Sequence, residues 1–178
     1  MLIEQTILPE VFSITPKRFG DDRGYFFESF NQKTFPLNSF EFVQDNHSCS
    51  VKGVLRGLHY QLVKPQGKLV RVVVGSILDV AIDIRKSSPT FKQWVSVELS
   101  ADNNKQLWIP PGFAHGFITL SDKAEVLYKT TDYWYKEYDR SIRWDDPDLN
   151  INWLTEQSPL LSKKDLEAPF LQSADLFE

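Results

Sequence analysis

Residues 68–84 read Lys68-Leu69-Val70-Arg71-Val72-Val73-Val74-Gly75-Ser76-Ile77-Leu78-Asp79-Val80-Ala81-Ile82-Asp83-Ile84. Two apolar runs rich in β-branched residues flank the turn dipeptide Gly75-Ser76, a pattern that predicts two strands joined by a turn. Similar short runs recur on both sides of this stretch, at Val54–Gln61, Trp94–Leu99, Gln106–Ile109, Ala114–Leu120 and Ala124–Thr131. Short strands at such close spacing, with turn signals between them, indicate an all-β sandwich or barrel.

The length of 178 residues suits one domain with a sizeable core. We expect N-terminal strands over 1–50, a barrel core over about 51–132 and a looser C-terminal segment over 133–178, with no linker between them.

Three local predictions belong to the two ends of the chain. Apolar and polar residues alternate unevenly over 2–14, which suggests an edge strand with unpaired backbone groups that another strand could pair with. The turn residues of 19–24 lead into a strand at 25–30, followed by a short helical or irregular segment over 32–38. A short helix is expected near Ser162 to Glu167.

Composition excludes several classes of protein. The net charge of −4, without a long basic run, argues against a nucleic-acid partner. The single cysteine, Cys49, excludes an intramolecular disulfide framework and favours a reducing compartment. The N-terminus lacks the pattern of a secretory signal, and the apolar runs are too short and too charged to span a bilayer. We therefore expect a soluble cytoplasmic protein.

The predicted strand Val54–Gln61 contains two side chains that could act in binding or catalysis, Arg56 and His59. Strict alternation would send Arg56 and His59 to opposite faces, but Gly57 between them suggests a bulge that could bring both into one cavity. The guanidinium of Arg56 could then bind an anion, and the imidazole of His59 could transfer a proton. Taken alone, these eight residues fit a surface arginine and a core histidine on an ordinary strand better than they fit a shared cavity.

A metal site is the first alternative to weigh. Pro110–His115 resembles the second motif of the cupin superfamily, a turn between two barrel strands. The first cupin motif needs a His-x-His pair, whereas His59 is followed two residues later by Gln61. Only three histidines exist in the chain, and zinc or iron sites usually recruit several such ligands together. We expect a cupin-type barrel that binds no metal.

Four residues are candidates for proton transfer at carbon. His59 has a pKa near neutrality and could act as a base, and Lys68 could stabilise the negative charge that develops. Tyr128 could donate a proton from the opposite side, and Asp165 could orient the imidazole. Each also has an ordinary explanation: a solvated strand end for Lys68, core packing for Tyr128 and a helix start after Ser162 for Asp165.

A second group of side chains would suit a diphosphate, because guanidinium and ammonium groups bind phosphate oxygens. Taken singly, each fits an ordinary surface charge better than a phosphate ligand. The group comprises Arg23, Arg56, Lys68 and Lys164.

Seven motifs together resemble the dTDP-4-dehydrorhamnose 3,5-epimerase family, cofactor-free enzymes of dTDP-L-rhamnose synthesis with a cupin-type double-stranded β-helix (jelly-roll) barrel and short peripheral helices. The likeness covers nearly the whole chain. In family order, the motifs are Phe19–Glu28, Gln44–Ser48, Leu55–Gln61, Gln66–Arg71, Asp83–Arg85, Ser88–Phe91 and Trp108–Phe117.

This resemblance implies a role for each candidate. His59 matches the base, Asp165 its partner, Lys68 the lysine beside the enolate oxygen and Tyr128 the proton donor. Asp79, which would face the same way as other polar residues of the barrel, is a secondary candidate for the site. Substrate-contacting positions are matched by Arg23, Glu28, Gln44, Asp45, Asn46, Arg56, Lys68, His115, Asp139 and Lys164.

The resemblance also implies a substrate and an assembly. The substrate would be a dTDP-4-keto-6-deoxy sugar, inverted at C3 and C5 without a cofactor. A homodimer is implied, with an exchanged N-terminal strand and residues near Arg23 and Glu28 serving the neighbouring site. Residues 132–139 differ in composition from the family, so the residue that stacks on thymine stays open there. Alternatives are inversion at one carbon, a nucleotide-sugar-binding cupin without activity, and a metal-dependent oxygenase.

Overall fold

The computed structural model describes residues 1–36 and 39–178. Its helical segments are α1 (Lys163–Leu166) and two 3₁₀ turns, Lys136–Tyr138 and Leu171–Ser173. Its strands are β1 Leu2–Gln5, β2 Phe12–Thr15, β3 Phe19–Asp21, β4 Gly24–Phe26, β5 Gln44–Val51, β6 Leu55–Gln61, β7 Lys68–Val74, β8 Ser76–Asp83, β9 Trp94–Ser100, β10 Gln106–Ile109, β11 Phe113–Thr119, β12 Lys123–Thr130 and β13 Asp139–Ser141.

Two antiparallel sheets form the body of the molecule. One has the order β1-β2-β10-β7-β12-β5 and the other β13-β6-β11-β8-β9, while β3 and β4 form a separate hairpin. The turn at Gly75 carries the chain from β7 in the first sheet to β8 in the second. This arrangement confirms the predicted all-β jelly roll with short peripheral helices.

Gly75 is required at this change of sheet. Its φ of +73° lies in the left-handed region, which favours glycine. A Cβ at this position would also lie 2.0 Å from the carbonyl oxygen of Lys123, too close for any side chain.

The main core lies between the two sheets, where alternate residues of each sheet meet. Val70 and Val72 enter it from β7, and Ile77 and Ala81 from β8. Leu69, the residue before Val70, instead packs with aromatic side chains on the outer face of the six-stranded sheet. Because side chains alternate along a strand, any polar residue in register with the inward-facing set points between the sheets.

The C-terminal segment covers the outer face of the five-stranded sheet. Ile142, Trp153 and Leu171 pack there with Leu58 of β6. Backbone hydrogen bonds between Leu58 and Ile142, 3.0 and 3.1 Å long, fix this segment along β6. The packing therefore brings α1, more than a hundred residues later in the chain, beside the strand that carries His59.

The N-terminal region differs from the sequence prediction. Residues 2–14 form two paired strands, β1 and β2, rather than one edge strand. The strand expected at 25–30 ends at Phe26, because it pairs only with the three residues of β3. Turns occupy the described part of the segment predicted over 32–38, and positions 37 and 38 lie outside the described residues. The helix expected near Ser162 is confirmed as α1.

Within the described part of the chain, the helical segments lack the length and apolar character needed to cross a membrane.

Candidate active site

A cavity of about 420 Å³ opens between the sheets. It is lined by nine of the residues proposed from the sequence together with six others: Gln44, Asn46, Ser48, Arg56, His59, Tyr60, Gln61, Gln66, Lys68, His115, Phe117, Tyr128, Trp134, Asp139 and Lys164. Imidazole, ammonium, guanidinium and phenol groups thus share one cavity with aromatic walls.

A bulge in β6 brings Arg56 and His59 to the same side. In the pairing of β6 with β11, His115 lies opposite His59 and Phe117 opposite Arg56, so β6 contains one residue more than its partner. Gly57 accommodates this with a φ of +136°, and a Cβ there would lie 2.5 Å from the Cα of Gly116. The predicted effect of Gly57 is confirmed.

His59 forms a dyad with Asp165. The Nε2 atom of His59 lies 2.5 Å from Oδ1 of Asp165, and Asp165 is 2% exposed. Ser162 caps α1 by accepting from the backbone N–H of Asp165 at 3.2 Å, and its hydroxyl donates to Oδ2 at 2.7 Å. The helix start and the dyad therefore use the same carboxylate, as both sequence interpretations allowed.

The environment of this dyad sets its charge. Burial lowers the pKa of His59, and the hydrogen bond to Asp165 offsets only part of that effect. Burial alone would raise the pKa of Asp165, but hydrogen bonds from His59 and Ser162 outweigh it and hold the pKa below its usual value. At neutral pH the pair is a neutral imidazole beside a carboxylate. With Nε2–H donated to Asp165, Nδ1 carries the free lone pair.

Lys68 is the buried cation of the cavity. It is 7% exposed, and its Nζ donates to the carbonyl oxygen of His59 at 3.2 Å. Burial lowers the pKa of Lys68 to about 8, although Asp79 acts in the opposite direction. A second cation, Lys164, contacts Asp139 at the cavity wall, with 2.5 Å between Nζ and Oδ2.

Tyr128 and Arg56 also line the cavity. Tyr128 lies on β12, opposite Asn46 of β5 and Val70 of β7. Burial raises the pKa of the Tyr128 phenol even though Arg56 opposes the shift, so the group stays protonated at neutral pH. Arg56 is an exposed residue that donates through Nε to the hydroxyl of Ser50 at 3.0 Å and through Nη2 to the carbonyl oxygen of Cys49 at 3.3 Å.

His115 faces the cavity from β11 with Asp79 behind it. Its Nε2 lies 3.0 and 2.9 Å from the two carboxylate oxygens of Asp79. Asp79 is fully buried and does not line the cavity itself.

Three proposed substrate-contacting residues lie outside this cavity. Arg23 sits on the exposed β3–β4 hairpin and contacts Asp21. Glu28 accepts from Asn31, at 3.1 Å. Asp45 points to the outer face of its sheet, where it contacts Lys129, because alternation along β5 turns it away from its neighbours Gln44 and Asn46.

Gln61 and Trp134 are cavity residues that the sequence left unassigned. Gln61 donates to the carbonyl oxygens of Lys64 and Tyr133 and accepts from the N–H of Tyr135, so it connects the two loops that contain these residues. Gln61 lies two residues after His59 on the same strand, and this spacing alone predicts that both side chains point to the same face. Trp134 is 53% exposed, and its backbone N–H donates to Gln44. No strand pattern predicts the direction of such a loop residue.

The described residues contain no group of three or more His, Cys, Asp or Glu side chains arranged to hold a metal ion.

Comparisons with known proteins agree with this geometry. The family model described as dTDP-4-dehydrorhamnose 3,5-epimerase matches residues 5–173. The dTDP-4-dehydrorhamnose 3,5-epimerase of Shigella flexneri is 58% identical over 181 residues, covering 99% of each chain.

Solved structures show the same likeness. The crystal structure of a dTDP-6-deoxy-D-glucose-3,5-epimerase from Legionella pneumophila, in complex with dTDP-4-keto-L-rhamnose, superimposes with a TM-score of 0.95 at 50% identity and covers 98% of this chain and 94% of that one. A 3'-monoepimerase from Streptomyces bikiniensis in complex with dTDP-quinovose has a TM-score of 0.88 at 33% identity, covering 95% and 87%. The chain belongs to the dTDP-4-dehydrorhamnose 3,5-epimerase family.

Proposed function

We propose that the protein inverts C3 and C5 of dTDP-4-dehydro-6-deoxy-D-glucose to give dTDP-4-dehydro-L-rhamnose. The observation that carries this proposal is the His59–Asp165 dyad at 2.5 Å, in a cavity that Lys68 and Tyr128 also line. Family membership and the dTDP-sugar bound by the Legionella relative support the same substrate class.

His59 removes the proton. A 4-keto group acidifies the C–H bonds on both flanking carbons, so one carbonyl activates both centres. The Nδ1 of His59 takes the proton from carbon, and the electron pair of the C–H bond moves toward the ketone as an enolate. Asp165 holds the ring in this tautomer and stabilises the imidazolium that forms.

Lys68 stabilises the enolate. Its ammonium lies in a water-poor wall of the cavity, where a preorganised charge is more effective than in water. Tyr128 then gives its phenolic proton to the carbon from the face opposite His59, which inverts the centre. The phenol regains a proton and the imidazolium loses one before the second carbon reacts, so no redox cofactor or metal takes part in the proposed cycle.

The nucleotide supplies binding energy away from the reacting carbons. Arg56 and Lys164 line the cavity and suit the two phosphates, and Asn46 and Gln44 add polar contacts. Trp134 offers a half-exposed indole face on which thymine can stack.

Trp134→Ala is therefore expected to weaken dTDP binding about tenfold, because stacking on an aromatic side chain contributes about 1–3 kcal/mol per base. Calorimetry with dTDP measures the change. The neighbouring Tyr133 is 54% exposed and does not line the cavity, so Tyr133→Ala is the matched control. Equal losses in the two variants would exclude stacking on Trp134.

The pH profile of kcat/KM is expected to be bell-shaped. His59 must be neutral, and its pKa lies below the ordinary 6.5, so activity is retained to below pH 6.5 and then falls as the imidazole gains a proton. Lys68 must be charged, and its pKa of about 8 places the alkaline fall near pH 8. Lys68→Arg keeps the cation at higher pH and should shift only the alkaline limb upward. An unchanged alkaline limb in this variant would contradict the role of Lys68.

Inversion at a single carbon is the second candidate, because the 3'-monoepimerase shares the fold. The product distinguishes the two. Proton NMR of the sugar after incubation with dTDP-4-keto-6-deoxy-D-glucose should report inverted C3 and C5 together. A product inverted at one carbon would establish the single-centre reaction, and unchanged sugar would leave a binding protein.

Three further features belong to this proposal. The protein acts as one domain over 1–178 and as a homodimer in the cytoplasm. Support for the dimer comes from the exposed edge strand β1 and from the hairpin that presents Phe19, Arg23 and Phe26 to solvent. Light scattering of the full chain measures the assembly. Cys49, unpaired and exposed, suits a reducing compartment.

A further inference from the structure

The second histidine of the cavity is hydrogen-bonded to a carboxylate that, among the described residues, has no other side-chain hydrogen bond. His115 is 7% exposed, and both oxygens of Asp79 approach its Nε2, at 3.0 and 2.9 Å. Over residues 1–36 and 39–178, Asp79 accepts no other side-chain hydrogen bond. The Nδ1 of His115 likewise has no hydrogen-bond partner among these residues, and His115 lines the cavity.

The position of Asp79 is energetically unfavourable for a charged side chain. It lies on β8 between Ile77 and Ala81, which belong to the apolar core between the sheets. A buried carboxylate destabilises a fold unless it is paired, and an apolar side chain of similar size would pack there without that cost. The ammonium of Lys68 also interacts electrostatically with Asp79.

Asp83 shows what a structural carboxylate looks like on the same strand. It is also fully buried, but it accepts from Arg85, Ser88 and Thr90 and does not line the cavity. Those contacts tie down a loop at the far end of β8. Among the described residues, Asp79 has instead a single hydrogen-bond partner, His115, which lines the cavity.

We propose that Asp79 is a positioning residue: it holds His115 with Nε2 protonated, so that Nδ1 accepts a hydrogen bond from a sugar hydroxyl of the substrate. This inference rests on the proposed function and assigns a task within the same site. Asp79 itself touches neither the substrate nor the reacting carbons.

Asp79→Asn tests this role with little change of shape. An amide no longer requires the proton on Nε2, and kcat/KM should fall about 10- to 100-fold, the loss typical of a buried polar group left without its proper partner. Asp83→Asn is the matched control. It should lower the melting temperature and leave kcat/KM, measured well below that temperature, within about twofold of wild type.

A double-mutant cycle separates an effect through His115 from an effect through Lys68 or the fold. If Asp79 acts through His115, Asp79→Asn in the His115→Ala background should change kcat/KM by less than about twofold. An equal loss in both backgrounds would overturn the proposal.

Nitrogen-15 NMR of the His115 ring in the wild-type protein keeps the test independent of any variant's folding. Nε2 should carry a proton in the absence of substrate, and a ring protonated only on Nδ1 would overturn the proposal. Because this measurement needs no turnover, its outcome is distinct from a failure of the epimerase function, which the product assay on wild-type protein reports.

Discussion

Replacing His59 with alanine is expected to lower kcat by about 10³-fold, since a positioned general base contributes about 10²–10⁴-fold. The substitution removes the imidazole that is paired with Asp165, and the other imidazole that lines the cavity, that of His115, contacts Asp79 instead. The affinity for dTDP should change little, because Arg56, Lys164 and Trp134 remain. Proton NMR of the sugar measures turnover, and calorimetry with dTDP measures binding.

His47→Ala is the control for this variant. His47 lies on the outer face of β5 and contacts Glu125, at 3.2 Å, so its removal should leave kcat within about twofold of wild type. Comparable losses in the two variants, or a His59→Ala enzyme with a tenth of the normal kcat, would contradict the role of His59.

Tyr128→Phe is expected to separate proton removal from inversion. The variant keeps the packing of the ring on the core but loses the proton donor, and net epimerisation should fall about 100-fold. His59 can still form the enolate and return a proton to the same face. In deuterium oxide, the variant should therefore label the sugar while retaining its configuration.

Mass and NMR spectra of the recovered sugar measure label and configuration in the same sample. Tyr133→Phe, at a half-exposed position outside the cavity, is the control and should behave as wild type. Full inversion by Tyr128→Phe would show that another group or water supplies the proton. Loss of label together with loss of inversion would show that the phenol is needed already for enolate formation.

The fold was predictable because its determinants are local. Runs such as Lys68–Val74 combine β-branched residues with glycine turns, and each reports its own conformation. The division of residues 2–14 into β1 and β2 was not predicted, because the turn between them lacks glycine and is held by Thr6, which donates to the carbonyl oxygens of Leu8 and Val11. A side chain that caps a turn in this way leaves a weak signal in sequence.

The site was predictable only in part. Gly57 between Arg56 and His59 signalled the bulge, and the structure confirms it. The pairing of His59 with Asp165 spans 106 residues, and it depends on how the C-terminal segment packs against β6. No spacing rule covers such a contact, so the family resemblance had to supply it.

Alternation along β5 explains why one of the proposed substrate-contacting residues, Asp45, lies outside the cavity. Asp45 stands in a run with Gln44 and Asn46, but successive side chains on a strand point to opposite faces, and Asp45 lies outside the cavity. Gln61, two residues after His59, follows the same rule into the cavity. A motif names neighbours in sequence, whereas a strand brings every second residue to the site.

The most direct test of His59 as the base is solvent deuterium incorporation at C3 and C5 of dTDP-4-keto-6-deoxy-D-glucose, with wild-type protein and His59→Ala compared at equal concentration. If His59 is the base, label enters both carbons with wild type, and only background label enters them with the variant. Label that enters both carbons equally fast without the imidazole of His59 would contradict this role.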